Sequence, residues 1–177
     1  MNSILVDAVI LVMLSTRGAH PLSEIDVNAF EKFWLAHSTS MIAQLDYVYG
    51  YEIGNEINTS GFNADYPVLF SVMNLDFDKC STKECKGAAR GFVRFIQLLR
   101  AVRRSPLLKG RLLLASGFAD VSDDWMKRTG SSFTAAEHAI QYVAKLGIMD
   151  VVDAISIHRY PGIGSAEKIS WREQDIV

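Results

Sequence analysis

The chain has 177 residues, 49% hydrophobic and 21% charged, which is enough apolar material for one buried core and too much for a disordered segment. Its formal net charge is -2, and apart from Arg100, Arg103 and Arg104 its basic residues are scattered, so no electrostatic footprint for nucleic acid is present. A neutral or weakly polar partner suits such a surface better than a polyanion.

The first predicted element lies in the apolar run Ile4 to Leu14. That run is too short to span a bilayer. It contains Asp7, follows no basic residue and shows no small-x-small cleavage site before Arg17, all of which argue against a secretory signal. It reads as a buried parallel strand over Ala8 to Ser15, and no membrane partner is expected. The compartment stays open, and a secreted parent protein is compatible with it.

A turn-rich stretch, Arg17-Gly18-Ala19-His20-Pro21, leads to a helix beginning near Asp26. Phe30, Phe33, Trp34, Met41, Ile42 and Leu45 give it one face to bury. A second strand, Tyr47 to Ile53, ends at Gly54-Asn55-Glu56, and a polar and aromatic segment runs from Asn58 to Thr82. Cys80 and Cys85, at its end, are open to three readings: a short disulfide, two free thiols or two metal ligands. Two ligands alone do not make a zinc site and no nearby histidine completes a set, so thiols or a local disulfide are expected, with no metal.

The third unit has a helix carrying Phe92, Val93, Phe95, Ile96, Leu99 and Val102, stopped by Ser105-Pro106, then a continuous apolar strand, Leu112 to Ser116. In the fourth, Ser132-Phe133-Thr134 opens a helix through Ala139, Ile140, Val143 and Leu146, closed by Gly147. Thr134 and Glu137 have capping-box spacing. The last strand, Val152 to Ile157, leads into His158-Arg159-Tyr160-Pro161-Gly162.

Alternating strands and helices imply a parallel sheet, either open and doubly wound or part of a closed barrel. Polar residues gather where the strands end: Ser15-Thr16-Arg17, Asn55-Glu56, Ser116-Gly117, and His158 with Tyr160. Strand ends carry the chemistry of a parallel barrel. An open nucleotide-binding sheet would want a glycine-rich turn after its first strand, and neither GxGxxG nor GxxxxGK[ST] occurs. A barrel lyase or aldolase would want a strand-end Lys or a metal cluster, and the strand ends offer neither.

Glu56 stands out because it follows Gly54 and Asn55 at the end of a strand of apolar and aromatic residues. A carboxyl held there is partly desolvated, which favours the protonated form that a general acid needs. Asn55 beside it can offer a donor and an acceptor to a sugar hydroxyl. The plainer reading of the pair is as turn residues.

Tyr-Glu-Ile-Gly-Asn-Glu-Ile-Asn at 51 to 58 resembles the fourth-strand motif of glycoside hydrolase clan A, in which an Asn-Glu pair ends the strand and the Glu is the acid/base. Ala154-Ile155-Ser156-Ile157-His158-Arg159-Tyr160 is similar to the sixth strand of those enzymes, which ends in His-x-Tyr. The resemblance implies a (β/α)8 TIM barrel, incomplete over 1–177, with about four βα units corresponding to the third to the sixth. It further implies a glycosidase that hydrolyses β-O-glycosidic bonds with retention, has a carbohydrate substrate and needs no cofactor. Glu56 is then the catalytic acid/base, and Asn55, His158 and Tyr160 bind substrate.

In the clan the nucleophile is a second Glu at the end of the seventh strand, whereas Glu167 and Glu173 lie in a polar tail with no apolar strand before them. A full barrel takes about 250 residues. The chain therefore reads as part of a longer gene product, expected to be inactive in isolation and, with unpaired strand edges, to self-associate. Phe62, Tyr66 and Phe70 could form a wall for a sugar ring, but packing of a long loop is the preferred expectation. The rival to the enzyme is a non-catalytic carbohydrate-binding or pseudoenzyme module that keeps Asn55, His158 and Tyr160 for recognition.

Overall fold

The computed structural model describes residues 21–36, 50–66, 75–108, 110–120 and 132–159, and the backbone of 37–42. The expected strand Ala8 to Ser15, the side chains of Met41, Ile42 and Leu45, the residues 47–49 at the start of the second strand, Phe70, Tyr160, Glu167 and Glu173 lie outside the described residues.

The described part is an α/β fold built on three parallel strands: β1 (Gly50–Asn55), β2 (Leu112–Asp120) and β3 (Ala154–Arg159), in the spatial order β1-β2-β3. Helix α1 (Val27–Ile42) precedes β1, α2 (Lys83–Arg104) joins β1 to β2, and α3 (Ala136–Lys145) lies between β2 and β3. Parallel neighbours need such crossovers, because no tight turn can return the chain to the same end of the sheet.

The helices pack beside one another and onto the sheet. Period-2 alternation sends Tyr51 and Ile53 of β1 to the helical side. Trp34 of α1 meets Tyr51 edge-on, with ring centroids 5.8 Å apart, and Phe92 of α2 stacks on Phe118 of β2 at 6.3 Å. Both phenylalanines are fully buried, and each such burial is worth roughly 2–3 kcal/mol. α2 buries the expected Phe92, Phe95, Ile96, Leu99 and Val102 but leaves Val93 exposed. Phe33 of α1 likewise stays outside the core, 48% exposed, while its neighbour Trp34 is buried against Tyr51.

Thr82 caps α2 by accepting from the Cys85 N–H, and Ser105 ends it. Cys80 and Cys85 are joined in a disulfide that fastens the turn before α2 to its first turn. Gly147, with φ +80, closes α3 in the left-handed conformation that glycine adopts without a Cβ clash. The capping box expected at Thr134 is absent. Ala135 holds the cap position with no side-chain cap bond, and Thr134 is buried, bonded instead to the loop that follows β1. Asp153 begins β3 by accepting from the Leu113 N–H and from Arg103 Nη2, both at 2.8 Å.

Candidate active site

β2 is longer than the sequence suggests. It continues to Asp120, so Ser116 and Gly117 lie within the strand rather than at its end. The ladder to β3 shifts register between Ala115 and Gly117, pairing Ala115 with Ile155 but Gly117 with Ser156, so that Ser116 is the extra residue. Such an irregularity re-aims the side chains around it. Here it turns bare Gly117 toward His158 of β3, whose ring occupies the place a Cβ would take.

Glu56 follows the last residue of β1. Its N–H donates to Gly117 O at 2.8 Å, continuing the ladder one residue past β1. Its φ is +47, a left-handed conformation uncommon for a residue with a side chain. Strained backbone of this kind gathers at functional sites, where the surroundings over-determine it. The Glu56 carboxyl is nearly buried, and Oε1 lies 3.2 Å from His158 Nδ1. The opposite nitrogen, Nε2, lies 3.4 Å from Oε1 of Glu52, a β1 residue only 3% exposed. One imidazole is therefore held between two carboxyl groups four residues apart, one on β1 and one just past its end.

Asn55 is buried beside Glu56 at the end of β1. Of the four residues expected in the site, the structure brings Asn55, Glu56 and His158 to one end of the sheet, while Tyr160 lies outside the described residues. Glu52 was missed. The signal for it was in the sequence, since period-2 alternation sets positions 52, 54 and 56 on one face and so lines up two carboxyl groups.

The loop after Glu56 is locked down by Asn58, which is fully buried. Its amide donates to Ala119 O at 3.0 Å and Thr134 O at 2.8 Å, and its Oδ1 accepts from the Ala119 N–H at 2.8 Å. Thr134 N–H donates to Asn58 O, Ser60 N–H to Ser132 O, and Thr59 bridges to Phe133. Tyr66 packs in the core with its hydroxyl bonded to Thr134 Oγ1 at 2.8 Å, so it forms no wall for a ligand. Phe62 is half-buried.

An apolar groove of about 340 Å3 lies elsewhere, lined by Leu22, Phe30, Phe33, Ile53 and Phe95 among others, and is not part of this site. Among the described residues no three His, Cys, Asp or Glu side chains are grouped so as to hold a metal ion, and no helix is long and apolar enough to cross a membrane. Compared with protein-family models, curated proteins and solved structures, the chain finds no match in any of the three.

Proposed function

We propose that the chain is part of a (β/α)8-barrel glycoside hydrolase that cleaves β-O-glycosidic bonds with retention, with Glu56 as its acid/base. The observation that carries this reading is the pairing of a nearly buried Glu56 carboxyl with His158, at the C-terminal ends of two parallel strands. Barrel enzymes assemble their reacting groups at that end. The sequential order β1-β2-β3, with no reversal among the described strands, supports a barrel arc. Exposed Leu112 and Ile157 fit a sheet that meets further strands, or further copies of the chain, on its uncovered side.

In this reading Glu56 protonates the departing glycosidic oxygen, and its carboxylate then takes a proton from the water that releases the sugar. Asn55, with Tyr160 by resemblance, holds the sugar hydroxyls, and His158 contacts the acid/base. Retention needs a nucleophilic carboxylate about 5 Å away. Glu52 is too deeply buried to reach a sugar carbon, so the nucleophile belongs to another strand.

The test is chemical rescue in the complete gene product. Glu56→Ala should abolish turnover of unactivated β-glycosides, and added azide should restore turnover of an activated aryl glycoside with a β-glycosyl azide as product. Undiminished hydrolysis by Glu56→Ala, or no azide product, would remove Glu56 from the role.

A further inference from the structure

Glu52 is a costly residue to keep where it is. A carboxyl in mid-strand, 3% exposed and with Oε1 accepting no hydrogen bond among the described residues, is stable only if something compensates it. Among the described residues, His158 Nε2 lies within reach of that oxygen, at 3.4 Å, on the far side of the ring from Glu56. Gly117 supplies the space in which the ring lies.

We propose that Glu52 is a positioning residue for the acid/base: its carboxylate accepts the Nε2 proton of His158 and so holds the ring with Nδ1 facing Glu56. The proposal rests on the reading of Glu56 as the acid/base. A histidine's free nitrogen is defined by the hydrogen bond that the other nitrogen makes. With the proton fixed on Nε2, Nδ1 of the neutral ring presents a lone pair that accepts the Glu56 hydroxyl and fixes the carboxyl in place; when substrate binds, that single proton leaves Nδ1 for the leaving oxygen. The ring moves no proton itself. Without Glu52 the ring could flip or change tautomer, and Glu56 would lose its orientation.

Two readouts test this, and the first needs no catalysis. In long-range proton–nitrogen spectra of the 177-residue chain, assigned with a His158→Gln variant and recorded where the ring holds a single proton, that proton should sit on Nε2 and exchange slowly with water. Glu52→Leu removes the acceptor at similar volume and should abolish the slow exchange, whereas Glu52→Gln keeps an acceptor oxygen and should restore it. A proton on Nδ1 in the unaltered chain would overturn the proposal even if Glu52→Leu failed to fold, and so would slow exchange that survives Glu52→Leu. In the complete gene product, Glu52→Leu should lower kcat on unactivated glycosides by about 100-fold, the lower end of general acid catalysis, with KM unchanged. An Nε2 proton held by Glu52 in a protein without glycosidase activity would sink the enzyme reading and leave the contact standing. Activity with an Nδ1 proton would do the reverse.

Discussion

The imidazole of His158 lies across Gly117 so closely that any Cβ at position 117 would collide with Nε2. The same glycine accepts the Glu56 N–H through its carbonyl. One residue of β2 thus sets both the ring and the backbone of the carboxyl it touches.

Gly117→Ala should therefore push the ring off its seat and strain the β2–β3 ladder, at a cost of about 1–3 kcal/mol for overpacking. Urea unfolding measures the loss, and the ring signals of His158 report the displacement. An alanine variant with unchanged midpoint and unchanged His158 signals would show that the close approach does not exist.

Asn58 carries three buried hydrogen bonds that tie the loop after β1 to β2 and to the segment before α3. Asn58→Ala leaves their partners buried without them, a loss of about 3 kcal/mol or more. Thermal unfolding should show it directly. A change below about 1 kcal/mol, the worth of a single ordinary hydrogen bond, would mean that the loop is held by something else.

Tyr66 gives the fold a dependence on alkali. Burial pushes its phenol far above the ordinary range, outweighing the Thr134 hydrogen bond that acts the other way, while the nearby Asp65 adds to the rise. A raised folded-state value means that the stabilisation is complete below the unfolded value, about 10, and is lost as pH rises beyond it. Stability should fall above pH 10 by up to about 1.4 kcal/mol per pH unit from this group. Denaturant midpoints between pH 9 and 11 should steepen for the unaltered chain and flatten for Tyr66→Phe. Equal slopes in the two proteins would place the phenol in water.

The strand and helix alternation was legible because periodicity follows from burial. α2 with its stop at Ser105 and the glycine closing α3 stand where apolar spacing and turn residues put them, while β1 runs on to Asn55 and β3 covers Ala154–Arg159, so that each ends two residues later than expected and His158 lies within its strand. What escaped depended on contacts distant in sequence. Thr134 has the spacing of a cap, yet its hydroxyl is taken by Tyr66 and its N–H by Asn58, 68 and 76 residues away respectively. Phe33 and Trp34 are both apolar, and the contacts of the second with Phe30 and Tyr51, which spacing does not reveal, accompany its burial. Gly117 looked like the end of a strand because glycine interrupts an apolar run, whereas its bareness is what admits His158. Glu52 was hidden by reading its strand as uniformly apolar.

The most direct test of the central claim is a leaving-group series on the complete gene product carrying Glu56→Gln. Kinetics with aryl β-glycosides of increasing leaving-group basicity would give kcat/KM for each substrate, against the unaltered protein. Glutamine cannot donate an acidic proton, so the loss should be slight for leaving groups that depart unaided and rise to about 100- to 10,000-fold for those that need protonation. A loss independent of the leaving group, or full activity on unactivated glycosides, would contradict the assignment of Glu56 as the acid/base.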